Sequence, residues 1–155
     1  MKAVIFDLDD TLYNQLQPFE RAIGQFMDLE EGELEALYLA FRYRADEVFE
    51  DSVKGVLSMR DMHTYRMKAA FADRGIEISS ERAYAIQEAY ADQQGHLDLT
   101  AGSQEVFAFC QEKRLALGLI TNGPHLHQLK KIQALGLHDW IPEELTIISG
   151  QVGMT

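Results

Sequence analysis

One cysteine, Cys110, leaves the 155-residue chain with no intramolecular disulfide. It sits in the run Val106-Phe107-Ala108-Phe109-Cys110 and reads as an inert core thiol in a reducing compartment. Prolines number three and glycines eleven, scattered enough that no linker, low-complexity segment or internal repeat emerges. Basic residues are also scarce, 14 against 25 acids, for a net charge of −11. Such a chain repels a phosphate backbone, and no basic stripe offsets the repulsion, so nucleic acid is not an expected partner. Nowhere does an apolar stretch approach membrane-spanning length. The first apolar run is short and broken by Asp7, which is unlike a secretory signal. The cytoplasm is therefore the expected location, with one main domain, a sizeable core and room for a smaller unit.

What is present begins at once. Val4-Ile5-Phe6 is followed by Asp7-Leu8-Asp9-Asp10-Thr11-Leu12, a buried strand that ends in carboxylates. In open α/β sheets ligands gather beyond the carboxyl ends of the strands, where Asp7 and Asp9 would lie. Their i, i+2 spacing sends both side chains toward one side of an extended backbone. The plainer alternative is a solvated strand end. Asp10 points the other way and reads as a solvated residue or a backbone cap.

A long helical block follows. Pro18 suits a first helical position, and Phe19, Ala22, Ile23, Phe26 and Met27 recur at helical spacing. Leu34, Leu37, Tyr38, Phe41, Ala45, Val48 and Phe49 continue the signal. Ser58 with Asp61 resembles a capping box that opens a third helix ending at Gly75, and Ser79 or Ser80 opens a fourth. Helices in succession with no strand between them predict an inserted bundle over residues 14–96, its Met and aromatic positions being core and not a cofactor box.

Residues 1–13 and 97–155 carry the α/β pattern. Ser103 reads as the cap of a helix ending at Lys113-Arg114, and a strand spans 115–121. Pro124 starts a helix with Leu126, Leu129, Ile132 and Leu135 on its apolar stripe, stopped by Gly136. A third strand covers 145–148. The expected fold is α/β, a doubly wound parallel sheet of about three strands with a four-helix insertion.

Phe6-Asp7-Leu8-Asp9-Asp10-Thr11-Leu12 resembles the first motif of the haloacid dehalogenase superfamily, and Leu117-Gly118-Leu119-Ile120-Thr121-Asn122-Gly123 is similar to its second. The resemblance runs from Met1 to about Gly150 and implies a truncated Rossmann-like core with a helical cap. It implies further that Asp7 is a nucleophile forming an aspartyl phosphate and Asp9 a general acid and base. Two close carboxylates resist ionising together, so Asp9 is expected to keep a proton at neutral pH. Dehalogenases of the family lack this second Asp, which favours phosphoryl transfer. Thr121, Asn122 and Thr11 would hold the substrate phosphate, Thr121 and Asn122 beside free amides at a helix N-terminus. Plainer alternatives are an ordinary strand-to-helix turn for Thr121-Asn122-Gly123 and a satisfied turn hydroxyl for Thr11. Magnesium is the implied cofactor, on the Asp7 side chain and the Asp9 main-chain carbonyl. The implied substrate is a small phosphorylated metabolite.

The chain departs from the family after Ile147-Ile148-Ser149-Gly150, where the third-motif Lys and the fourth-motif acids have no counterpart. Lys130 and Lys131 read as poor substitutes, lying ~10 Å along the following helix at ~1.5 Å per residue. Lys54 reads as a solvated loop lysine. Weaker binding of magnesium and phosphate is expected, along with an exposed apolar edge at Val4-Ile5-Phe6 that favours a homodimer. The competing reading is a non-catalytic fragment or pseudoenzyme that binds a partner. A receiver domain fits less well, since receivers have no helical bundle after the first strand and need a separate phospho-accepting Asp.

Overall fold

A computed structural model describes residues 2–153, the side chains of residues 49–53 excepted. Phe49 of the amphipathic pattern and the terminal Met154-Thr155 thus lie outside what is described. Two compact units are present, residues 1–15 with 94–155, and residues 16–93.

The first unit holds a parallel sheet of β1 (Ala3–Phe6), β2 (Ala116–Thr121) and β3 (Thr146–Ile148), in the order β1-β2-β3. Phe6 lies opposite Leu119, and Thr121 opposite Ile148. The register therefore brings the ends of β1 and β2 to the same edge of the sheet. Helix α5 (Ala101–Glu112) precedes β2 and α6 (His125–Ala134) follows it. Both connections step the same way across the sheet, and right-handed connections then lay both helices on one face. Phe107 and Cys110 of α5 and Ile132 and Leu135 of α6 accordingly share a core with Leu117, Leu119 and Ile148, against which Val4 and Phe6 pack. Strand side chains alternate, so Ile5, Ile120 and Ile147 point to the other face. They are 62%, 48% and 45% exposed, and β1 pairs only with β2 among the described residues.

Several local expectations shift. Thr100, not Ser103, caps α5: its hydroxyl accepts from Ser103 N at 3.1 Å. Ser103 is left to bond back to Leu12 O at 3.1 Å, tying α5 to the loop after β1. Leu126 is 72% exposed, because α6 turns Gln128, Lys131 and Ile132 inward instead. Gly136 takes the left-handed conformation, φ 61°, after the last turn of α6.

The second unit contains α1 (Leu16–Ile23), α2 (Glu31–Val53), α3 (Met59–Asp73) and α4 (Ser80–Gln93). Pro18 is the third residue of α1, not the first. Ser58 caps α3, its hydroxyl accepting from Asp61 N at 3.1 Å. Phe19 stacks within 5.1–5.7 Å of Tyr38, Phe41 and Tyr90, and Met67, Phe71 and Ile86 close the core. Phe19, Tyr38, Phe41, Met62, Met67, Phe71 and Tyr90 are thus spent on packing, whereas Tyr43, Met59 and Tyr65 are exposed. No described helix is long and apolar enough to cross a membrane.

Candidate active site

Asp7 is the first residue beyond β1. Its side chain is exposed and makes no hydrogen bond among the described residues. Leu8 is buried and its carbonyl accepts from Leu12 N at 3.0 Å, so the chain turns sharply and returns. Asp10 sits at this turn with φ 55°, a conformation that short polar side chains tolerate. Its carboxylate accepts from Gln15 N at 2.9 Å and Gln15 Nε2 at 3.2 Å, the backbone-cap role expected of it. Thr11 is exposed and its hydroxyl has no partner among the described residues.

Asp9, in contrast, is bound on both oxygens. Its Oδ1 accepts from the Tyr13 hydroxyl at 2.6 Å and from Lys131 Nζ at 2.7 Å, and its Oδ2 accepts from Gln128 Nε2 at 2.9 Å. Gln128 Nε2 also lies 2.7 Å from Thr121 Oγ1 and 2.8 Å from Asn122 O. One side chain of α6 therefore links the loop after β1 to the end of β2. Thr121 is buried at 2% exposure, and Gln128 at 1%. The Asn122 side chain points elsewhere and accepts through Oδ1 from the Ser149 hydroxyl. Ser149 Oγ in turn accepts from Gly123 N at 3.0 Å. Gly150 packs so closely that a Cβ there would come within 2.6 Å of Gly123 O and 2.8 Å of His125 N. The end of β3 thus fixes the entry to α6.

Lys131 overturns the reading drawn from helix rise. Distance along the axis was the wrong measure, because helical side chains lean toward the N-terminus and lysine is long. With Gln128 at i−3 it shares the inward face of α6. Burial by itself would raise the Asp9 carboxyl; the bonds from Gln128, Lys131 and Tyr13, with the Lys131 charge, outweigh burial and hold it below its ordinary value. The expectation that Asp9 keeps a proton at neutral pH is therefore corrected. Its carboxylate is ionised because three donors engage it, and these outweigh any repulsion from Asp7.

Gln128 Oε1 and His125 Nδ1 are buried without hydrogen-bond partners among the described residues. No group of three or more His, Cys, Asp or Glu side chains able to hold a metal occurs among the described residues either. The fit for magnesium thus rests on Asp7, whose carboxylate is uncommitted. A hard cation that keeps several waters and is completed by substrate phosphate oxygens needs only one or two protein oxygens. The Asp9 carboxylate, fully engaged, is not one of them, which leaves its main-chain carbonyl.

Of the expected site residues Asp7, Asp9, Thr11, Thr121 and Asn122, the structure joins Asp9 and Thr121 through Gln128; sequence reasoning did not single out Tyr13 or Gln128, and it set Lys131 aside. The available signal was the i, i+3 pair Gln128 and Lys131 beside the apolar Ile132 on a helix that starts at the tip of β2.

A family profile described as haloacid dehalogenase-like hydrolase matches residues 1–153. No curated protein matches the chain significantly. Among solved structures, the HAD-hydrolase YfnB of Bacillus subtilis bound to magnesium is similar, with 17% identity over 99% of this chain and 66% of that one, and a TM-score of 0.57. The L-2-haloacid dehalogenase RSc1362 has 20% identity, the same two coverages and a TM-score of 0.62. A HAD family hydrolase of Deinococcus radiodurans R1 with bound phosphate and sodium has 12% identity over 99% of this chain and 60% of that one, with a TM-score of 0.60. The chain thus spans about two thirds of the length of these relatives, and at these identities the likeness is one of fold.

Proposed function

This chain belongs to the haloacid dehalogenase-like hydrolases, and we propose that it is a magnesium-dependent phosphatase that cleaves a small phosphomonoester through an aspartyl-phosphate intermediate. The observation that carries this reading is the contrast between its two acids. Asp7 is exposed at the strand tip with no hydrogen bond among the described residues, open to a substrate, whereas Asp9 is held ionised by Tyr13, Gln128 and Lys131.

In the first displacement an Asp7 carboxylate oxygen bonds to phosphorus while the bond from phosphorus to the ester oxygen breaks. The leaving oxygen takes a proton, and Asp9 is the acid in the motif that would pass it. In the second displacement water attacks phosphorus, releasing Asp7 as a carboxylate, and Asp9 accepts the proton of that water. The ionised Asp9 is ready for this second half. The first half requires its protonated form, so substrates whose leaving oxygen needs little protonation are favoured. The Thr121 hydroxyl, already accepting from Gln128, retains its own proton to donate to a phosphoryl oxygen. The first turn of α6 supplies amides for the same anion; the Gly123 N–H, committed to Ser149 Oγ, and the Asn122 side chain, turned to Ser149, are left out. Magnesium would be held by the Asp7 carboxylate and the Asp9 main-chain carbonyl, and it supplies charge neutralisation for the phosphoryl oxygens.

Cys110, single and buried, agrees with a reducing compartment, and we assign the protein to the cytoplasm. A second reading, a non-catalytic member that binds a partner, is favoured by the engagement of the whole Asp9 carboxylate within the protein. Hydrolysis of a generic aryl phosphate separates the two. The phosphatase reading expects turnover that requires magnesium and disappears in Asp7→Asn, while equal rates in both proteins favour the second.

A further inference from the structure

Arg66, in the middle of α3, is a cation with no acid paired to it among the described residues. Its Nε donates to Gln87 Oε1 at 3.1 Å, and its Cζ lies 4.7 Å from the centroid of the Phe41 ring. Gln87 is itself buried at 3% exposure. Those contacts use one of the five guanidinium donors and one face of its plane. The four Nη hydrogens have no acceptor among the described residues, yet neither Nη is sealed from solvent. Arg44 on α2 shows what ordinary pairing looks like in the same unit, with Asp73 at 2.7 Å and Glu47 at 2.9 Å.

The surroundings add positive charge. Arg42, next to Phe41 in sequence, donates to the Tyr38 hydroxyl at 3.1 Å. Burial pushes the Arg66 guanidinium down to about 10; the Tyr90 phenol opposes this and the Arg42 charge adds to it. His63, three residues before Arg66, is pushed down by burial and then by Arg66. Asp46 is one of the groups that act on Arg42. Packing of the Arg66 stem and its cation–π contact explain why the side chain is ordered. They do not explain why a desolvated guanidinium is left without a counter-charge beside a second one, an arrangement that costs free energy unless an anion completes it.

We infer that Arg66, backed by Arg42, is an anion-recognition site in the helical unit, its free Nη pair taking one carboxylate or phosphate group of a small molecule in a forked contact. The inference concerns residues 16–93 alone and stands independently of the phosphatase reading.

The test is NMR of the arginine Nε–Hε resonances in the full chain, titrated with malonate and, in a second series, with inorganic phosphate. The Arg66 resonance is expected to move along a saturating curve while that of Arg44, already paired, stays in place. The series that saturates at lower concentration identifies the source as carboxylate or phosphate. Arg66→Met abolishes the saturable binding, also measured by calorimetry, and Arg66→Lys restores part of it. Circular dichroism checks the fold of both, and the lysine variant keeps the test informative if the methionine variant unfolds. Repeating the titration in Asp7→Asn, where this site is intact, separates the two readings. Shifts that stay linear for both anions, or that are equal at Arg66 and Arg44, overturn the inference.

Discussion

Lys131 Nζ lies 2.7 Å from Asp9 Oδ1 across 122 residues of sequence. The pair is 8% and 22% exposed at its two side chains, enough burial to weaken solvent screening. It joins α6 to the loop that carries both motif acids.

Lys131→Met leaves Asp9 half-buried with one strong donor fewer. The expected cost is about 2 kcal/mol, below the range for fully sealed pairs because Asp9 keeps some contact with water. Urea denaturation measures it. Combining the change with Asp9→Asn is expected to recover much of the loss, since the stranded charge is gone; strictly additive losses would mean that the two residues are uncoupled.

The Asp9 carboxyl is lowered in the folded protein, so the folded state favours its ionised form. Its stabilising contribution is complete above the unfolded value of about 3.9 and is lost as pH falls through the lower folded value. Stability measured between pH 5 and strongly acid conditions should therefore fall less steeply in Asp9→Asn than in the parent. His63 acts in a different window. Its folded value is lowered, so acidification from above about 6.5 down toward the folded value destabilises the fold, and His63→Gln should flatten that part of the profile.

Gly150→Ala places a methyl against two main-chain atoms, Gly123 O and His125 N, neither of which can rotate away. A loss of about 1–3 kcal/mol is expected. Because the strain falls on the entry to α6, phosphate affinity should fall as well; a change in stability alone would indicate that the turn relaxes locally.

Much of this arrangement was legible in the sequence. Short apolar runs placed β1 and β2, Ser58 marked the start of α3, and the two acids after Phe6 located the strand tip. The Thr100 cap was missed because Ser103 is an equally good capping residue three positions on, and only the fold shows it bonded to Leu12 O. Lys131 and Gln128 were missed for a different reason. Their value comes from where α6 lies relative to Asp9, a tertiary relationship that helix periodicity does not encode. The exposure of Leu126 belongs to the same error, a stripe drawn roughly one position out of phase.

The bare sheet face formed by Ile5, Ile120 and Ile147, next to the open edge of β1, supports our proposal that this chain self-associates there. Light scattering across a concentration series should show a dimer that Ile5→Lys weakens. A monodisperse monomer at high concentration would count against it.

Trapping the covalent intermediate tests the central claim most directly. The protein is mixed with an aryl phosphate and magnesium, quenched in acid, and mapped by mass spectrometry. The account predicts one phosphoryl group on Asp7, absent without magnesium and absent in Asp7→Asn. Magnesium-dependent turnover with the phosphoryl group on another residue, or undiminished turnover in Asp7→Asn, would contradict it.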